Sequence, residues 1–324
     1  MYTCPLCSGQ TLVRAHGFVA PWISEIADSP PAPTEGCVCE TCDFAFYSHR
    51  FDDSELGAIY GEYRGDRYLR ARRRWEPWYN RAINSASATG SAHLESRRAF
   101  MLRLLADRGP FEMAADFGGD EGQFFPDLDI GRRVVIDPSN KPLPPGIERV
   151  ADIAEMASSP PDLVIVAHVL EHLNDPVGEL SRIRAVMPEQ GLLYVEVPQD
   201  RPVWREGLAT RPPVGPSRRY RYIALDFLTG LSRQYRSQAV PAWGVVKQSE
   251  HLNYFSERAL RRALDLAGFQ AGPSVVDPHS TVAGLRMGRL AVLGTPRSGS
   301  GSGMSRESAA ASRAGYPRRK VQNL

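Results

Sequence analysis

The sequence predicts an α/β fold built on a parallel sheet, and three observations carry that prediction. "PDLVIVAHVL" (Pro161 to Leu170) is an apolar, β-branched run of the kind found in strands buried on both faces. Further apolar runs alternate with helical spacings, which calls for a sheet covered by helices on both sides. The stretch "AADFGGDEGQFFPDLDIGRRVVID" (Ala114 to Asp137) reads as a strand, a glycine-rich turn, a helix start and a second strand ending in an acid. Glycine lets a ligand approach the backbone closely, and an acid about 20 residues further on suits ribose hydroxyls. Together they imply a nucleoside-containing cofactor.

In chain order, residues 1–50 form a short cysteine-bearing region rich in turn residues, with Cys4 and Cys7 in "CPLC" and Cys37, Cys39 and Cys42 in "CVCETC". Two C-x-x-C pairs supply four thiolates to one ion, so Cys4, Cys7, Cys39 and Cys42 are expected to hold a structural zinc, with Cys37 spare. Four sulfurs fill the coordination sphere and leave no place for a substrate. Residues 51–108 are expected to be helical, with "YGEYRGDRYLRARRRWEPWY" as their core. Residues 109–294 hold the alternation: "FEMAADFG", "RRVVID", "ERVAD", the buried run above, "GLLYVEVP" and "RLAVLG" as strands, with "DPVGELSRIRAVM" and "SERALRRALDLAGF" as helices. In the last helix Ser256 is a cap, Leu260, Leu264 and Ala267 share a face, and Gly268 suits the left-handed stop. Residues 199–248, rich in Pro, Arg and aromatics, interrupt the alternation at the ligand-binding edge and are read as a surface insertion or a substrate lid. Residues 295–324 are small, polar and aperiodic, the composition of a disordered tail.

Composition narrows the function. The 324 residues are 42% hydrophobic and 23% charged, with a formal net charge of +2. That balance is too mild for a nucleic-acid binder, which concentrates basic charge on one face. The arginine runs "RARRRW" and "SRRYRY" read first as solvated faces. No apolar stretch reaches the length of a membrane span, and no signal-peptide pattern opens the chain, so a cytoplasmic protein without membrane insertion is expected.

The motifs resemble those of the class I S-adenosylmethionine-dependent methyltransferases. "DFGGDEG" resembles that family's glycine-rich first motif, with Asp116, Gly118 and Gly122 on its acid and outer glycines; Asp120 takes the middle glycine slot, beside Gly119. The resemblance implies that Asp137 binds the ribose, that Asp152 in "RVADI" contacts the adenine amino group, and that His168 lies near the methionine end of the cofactor. "DLVIVAHVLEHLNDP" and "GLLYVEVP" resemble the family's fourth and fifth strands, and "EHLNYFSERALRRALDLAGF" a signature of a branch that methylates sugars, quinone precursors and other small molecules. "CPLC…CETCDFAFYS" followed by "YGEYRGDRYL" resembles the zinc-knuckle and helical region of that branch. The implied fold is a Rossmann-like methyltransferase sheet with a small N-terminal zinc-knuckle module and a helical arm covering the cofactor site.

The implied reaction is methyl transfer to a small-molecule acceptor, a nucleotide-linked sugar or polysaccharide precursor. Arg218, Arg219 and Arg221 would suit the phosphates of such an acceptor. An RNA methyltransferase with a zinc knuckle and a non-catalytic binding protein are the alternatives. Histidine titrates near neutral pH and suits proton removal. His251, beside Glu250, is expected as the base, since sugar C-methyltransferases of the branch use a Glu-His pair there; their tyrosine two residues before the glutamate is Gln248 here. His172 is a further catalytic candidate. Tyr63 and Tyr68 are expected either as core or as a cover over the cofactor.

Overall fold

The computed structural model describes residues 2–61, 63–81, 83–84, 91–137, 141–199, 208–211, 215–236, 245–282 and 285–297. The proposed disordered tail beyond residue 297, and 200–207, 212–214 and 237–244 of the insertion, lie outside the described residues. In chain order the elements are β1 (Thr11–Val19), α1 (Pro21–Ile26), β2 (Pro33–Cys39), β3 (Ala45–Tyr47), α2 (Asp53–Tyr60), α3 (Asp66–Trp75), α4 (Ser91–Leu105), β4 (Phe111–Phe117), β5 (Ile130–Ile136), β6 (Ile147–Val150), β7 (Leu163–Ala167), α5 (Pro176–Val186), β8 (Leu192–Pro198), β9 (Leu208–Ala209), α6 (Arg218–Arg236), β10 (Lys247–Gln248), β11 (Asn253–Tyr254), α7 (Glu257–Leu266), β12 (Phe269–Val282) and β13 (Leu285–Pro296).

The large sheet runs β12-β13-β8-β7-β4-β5-β6. Five neighbouring strands, β8 through β6, are parallel, and β13 closes one side antiparallel to β8. Every residue of β7 is buried, as its continuous apolar run requires. The chain leaves β4 toward β5 on one side and returns to β7 on the other. Strand order therefore reverses between β4 and β7, and ligands of such sheets bind at the carboxyl ends on either side of that point. Local signals set the helix ends. Asp175 caps α5 through Gly178 N (2.8 Å) with Pro176 in the first turn, and Ser256 caps α7 through Ala259 N (3.2 Å). Gly268 takes φ +85°, a conformation open to glycine without a Cβ clash.

Three expectations need correcting. No helix follows the glycine-rich turn: Asp120–Phe124 form turns, because Pro126 interrupts the short path to β5 and Phe125 is drawn into the core. The final strand "RLAVLG" is one arm of a longer hairpin, β12–β13, which also takes in Thr295 and Pro296 from the stretch read as tail. The N-terminal region is not closed on itself. Its sheet, β10-β1-β2-β3-β11 with β9 also on β1, takes three of its strands from residues 208–254. Those strands have two residues each, too short to show any alternation in sequence.

A buried charge network fastens these parts. Glu76 accepts from Trp22 Nε1 (3.2 Å), Arg72 Nε (2.8 Å) and Tyr222 OH (3.1 Å), and pairs with Lys247, which also meets Asp226 (2.7 Å). The contacts join α1, α3, α6 and β10. Burial pushes the Glu76 carboxyl up, but Lys247 and Arg72 outweigh it and hold the group at about 2. No helix among the described residues is long and apolar enough to cross a membrane.

Candidate active site

The glycine-rich turn leaves β4 at the strand reversal. Gly118 and Gly122 take φ +72° and +69°, and Asp120, in the middle slot, takes φ +48°. A Cβ on Gly119 would fall 2.6 Å from Asp116 Oδ2, and one on Gly118 2.6 Å from Val169 Cγ2. The turn thus needs glycine at both places to stay close to the strand ends. Asp137, at the end of β5, accepts from Asp120 N (3.1 Å) and faces Arg149 (3.6 Å). Arg149 also donates to Asp120 O (2.7 Å), and Lys141 pairs with the Asp120 carboxylate at 2.8 Å. The residue standing in for glycine is therefore held by two cations. Asp116 is 2% exposed, and its Oδ2 has no hydrogen-bond partner among the described residues. Burial pushes its carboxyl up to about 7, with Arg97 opposing and Asp137 adding to the rise. Asp152 is placed differently. It caps the turn after β6 through Ala154 N (2.8 Å), and both its oxygens meet Arg182 at 2.6 Å.

A second group lies at the ends of β7 and β8. His168 has φ +59°, a strained position for a non-glycine residue. Its Nε2 lies 2.9 Å from Glu196 Oε1 and its Nδ1 3.3 Å from Glu171 Oε1. Burial and Arg97 push its pKa down, but the two glutamates prevail and raise it. Glu171 is 1% exposed; burial pushes it up, while His168, His172 and His251 bring it down to about 2. His172 Nδ1 meets Tyr60 OH (3.0 Å) and Glu250 O (3.2 Å), and burial lowers its pKa to about 4 against the pull of Glu171. The His251 ring stacks edge-on against His172, with centroids 4.9 Å apart. Glu250 accepts from Tyr68 OH and faces Arg72 at 3.5 Å. Burial raises it, and Arg72 and Tyr68 bring it down to about 2. The segment carrying Glu250 and His251 is pinned to the β7 end by Leu252 N to Glu171 O (2.8 Å) and Asn253 Nδ2 to Leu170 O (2.9 Å).

The methyltransferase-domain family model matches residues 93–271, more than half of the 324-residue chain. The chain belongs to the class I S-adenosylmethionine-dependent methyltransferases. Among solved structures, this methyltransferase is similar to the 1,6-didemethyltoxoflavin-N1-methyltransferase of Burkholderia thailandensis with bound 1,6-didemethyltoxoflavin and S-adenosylhomocysteine. Identity is 15%, with 80% of this chain and 98% of that one covered and a TM-score of 0.42. It is also similar to the N-methyltransferase NodS of Bradyrhizobium japonicum WM9 in complex with S-adenosylhomocysteine, at 14% identity, 63% and 87% coverage and a TM-score of 0.37. A search of curated proteins finds no match.

The residues present fit the cofactor of this methyltransferase. An orphaned buried carboxylate oxygen on Asp116 and a cradle that a side chain at Gly119 would fill stand at the strand reversal. A separate cavity of about 510 Å³, lined by Glu112, Arg132 and Asp162 among others, opens at the amino ends of β4 and β7, the opposite edge of the sheet.

The cysteines converge as well. Cys4, Cys7, Cys39 and Cys42 bring their sulfurs within 4.8 Å of one another, with Cys4–Cys42 at 3.7 Å and Cys7–Cys39 at 3.5 Å. Zinc–sulfur bonds of about 2.3 Å put the sulfurs of a tetrahedron about 3.8 Å apart, so the donor set fits zinc. Cys37 turns away toward Glu35 O (3.8 Å), and burial pushes its thiol up to about 12.

Sequence reading missed Tyr60, Arg72, Glu171, Arg97 and Glu196. Glu196 carried a signal: an acid within "LLYVEVP", a strand with six of its seven residues buried, demands a partner. Arg72 sits in a run read as a solvated face; its neighbours Arg70, Arg73 and Arg74 are exposed, while Arg72 turns inward. Gln248, in the place of the branch's tyrosine, bonds Thr34 Oγ1 (2.7 Å) and His49 O (3.0 Å) instead of the site. Tyrosine hydroxyls reach the histidine group from the arm, through Tyr60 and Tyr68.

Proposed function

We propose that this methyltransferase methylates a small-molecule acceptor, with His251 taking the acceptor's proton and Glu250 and His172 positioning it. The observation that carries this reading is the meeting of two groups at one edge of the sheet. The glycine turn with Asp116 and Asp137 leaves β4 and β5, and His168, His172, Glu250 and His251 gather at the end of β7. When bound, S-adenosylmethionine supplies an electrophilic methyl group on a sulfonium. The chain's part is to align the acceptor, exclude water and remove a proton where the nucleophile carries one. Of the histidines here, His251 suits that last task. His172 is fixed by Tyr60 and Glu250 O and kept uncharged by burial, and His168 is held between two glutamates. The arm covers the group through Tyr60 and Tyr68, which favours an acceptor small enough to be enclosed.

The reading extends to a nucleotide-linked sugar or glycan precursor. Arg218, Arg219 and Arg221 are exposed on the first turn of α6, which meets the end of α3 through Arg219 Nε to Arg74 O (2.8 Å). The same helix α3 reaches Glu250 through Tyr68 and Arg72. Cys4, Cys7, Cys39 and Cys42 hold a structural zinc in this reading. The test is transfer of labelled methyl from S-adenosylmethionine to a panel of nucleotide-linked sugars, free sugars and phenols, with RNA as the contrasting acceptor. Transfer to RNA alone would overturn the small-molecule reading. Metal analysis should find one zinc per chain and none in Cys42→Ser; a metal-free wild-type protein would overturn the zinc assignment.

A further inference from the structure

The roles assigned above leave the buried carboxylate of Glu171 unused. It is 1% exposed, and neither of its oxygens completes a hydrogen bond among the described residues. Histidines face it instead: His168 Nδ1 stands 3.3 Å and His172 Nε2 3.8 Å from Oε1. His168 is engaged elsewhere, with its Nε2 2.9 Å from Glu196 Oε1. His172 is differently placed. Its Nδ1 meets the Glu250 carbonyl oxygen at 3.2 Å, and a carbonyl can only accept. Tyr60 OH, 3.0 Å from the same nitrogen, can accept as well. The proton therefore belongs on Nδ1, and Nε2 keeps its lone pair on the side of Glu171. The His251 ring packs edge-on against His172, and one donor atom each from Glu171, His172 and His251 lie within 4.8 Å of one another.

Two imidazoles and a carboxylate are a donor set for a divalent transition ion such as zinc, with a fourth position left for water or another ligand. Bonds of about 2.0–2.2 Å set tetrahedral ligand atoms about 3.3–3.5 Å apart, so side-chain movements of about 1 Å close the set. A ligating histidine ordinarily donates its second nitrogen to a carbonyl or carboxylate, which fixes the tautomer and aims the lone pair. His172 already has that support from Glu250 O. The backbone holds the set together too: Leu252 N donates to Glu171 O at 2.8 Å, tying the segment of His251 to that of Glu171 and His172. We propose that Glu171, His172 and His251 bind a divalent ion of the zinc class, and that this ion blocks methyl transfer by taking the lone pair of His251. The site stands on the geometry; the block rests on the reading of His251 as the base.

Titration of the full-length protein, loaded with one zinc, tests the site with cobalt(II), whose visible spectrum reports its ligands. One cobalt per chain is expected beyond the zinc, without a sulfur-to-cobalt charge-transfer band, and added zinc should displace it. His251→Ala and Glu171→Gln should each weaken cobalt binding by more than about 100-fold, because losing even an outer partner of a metal site costs about 10–100-fold. If Glu171→Gln does not fold, His251→Ala, which alters a half-buried ring, decides alone. Absence of a further cobalt, a thiolate spectrum for it, or unchanged affinity in the variants overturns the site. Methyl transfer by the wild type should then be lost in proportion to filling of this second site by zinc. Transfer that continues with the ion bound overturns the block and removes His251 as the base while the metal site stands, so the two failures are distinct.

Discussion

The two halves of the candidate site are built in different ways. The cofactor half comes from one continuous stretch, Asp116 to Arg149, in which two strand ends and the turn between them bring Gly118, Gly119, Asp120 and Asp137 together. The acid–base half draws on four separate segments: Tyr60 on α2, Tyr68 and Arg72 on α3, His168 to His172 after β7, and Glu250 with His251 before β11. The first is positioned by backbone hydrogen bonds that form with the sheet. The second exists only once the arm and the N-terminal sheet have docked. Binding of the nucleoside should therefore tolerate changes in the arm, whereas proton transfer should not.

That contrast can be broken most decisively at His251. His251→Ala is expected to lower turnover by about 100-fold or more, the range for a lost general base, while adenosylhomocysteine affinity stays near wild type. Steady-state kinetics beside calorimetry read both; turnover at the wild-type level would remove His251 as the base. The reverse pattern is expected for Asp137→Ala, which should weaken cofactor binding by about 1–3 kcal/mol, because a charged hydrogen-bond partner is lost. Unchanged affinity would reject the ribose assignment.

Acid should separate the halves next. Glu76, Glu171, Glu196 and Glu250 are each held at about 2, against an ordinary 4.5. Carboxylates depressed in the folded state contribute stability that is fully present above 4.5 and is lost as pH falls toward 2. His172, lowered from 6.5 to about 4, adds a loss between those values, because the unfolded chain takes up a proton there that the folded chain refuses. Asp116, raised from 3.8 to about 7, acts oppositely, favouring the folded state as pH falls through that window. Four carboxylates against one predict a melting temperature that changes little near neutrality and drops steeply below about 4.5. A midpoint that stays level to pH 3 would contradict the network. The smallest effect is expected for Tyr60→Phe, which removes one hydroxyl from His172. Turnover should fall about 2–10-fold with cofactor affinity kept, and a comparable fall in affinity would show that the arm shapes the cofactor half too.

How much was legible follows the same division. Asp116, the glycines and Asp137 stand close together in sequence and have a local pattern. The two C-x-x-C pairs were equally readable, because each pair fits within one turn. Tyr60, Arg72 and Arg97 gave no signal: a tyrosine or arginine on an amphipathic helix looks the same whether it faces solvent or a buried carboxylate. The two-residue strands β9, β10 and β11 likewise carry no period.

The sequence by itself determined the parallel sheet, the glycine turn at its reversal and the cysteine pairs, because each depends on spacing within a few residues. Tertiary structure alone decided that Glu250 and His251 come to rest on the end of β7, that Arg72 turns inward while its neighbours face water, and that residues 208–254 complete the N-terminal sheet. The physical reason is that a buried charge or a two-residue strand is stable only against its partner, and those partners lie as far apart in the chain as Phe18 and Lys247.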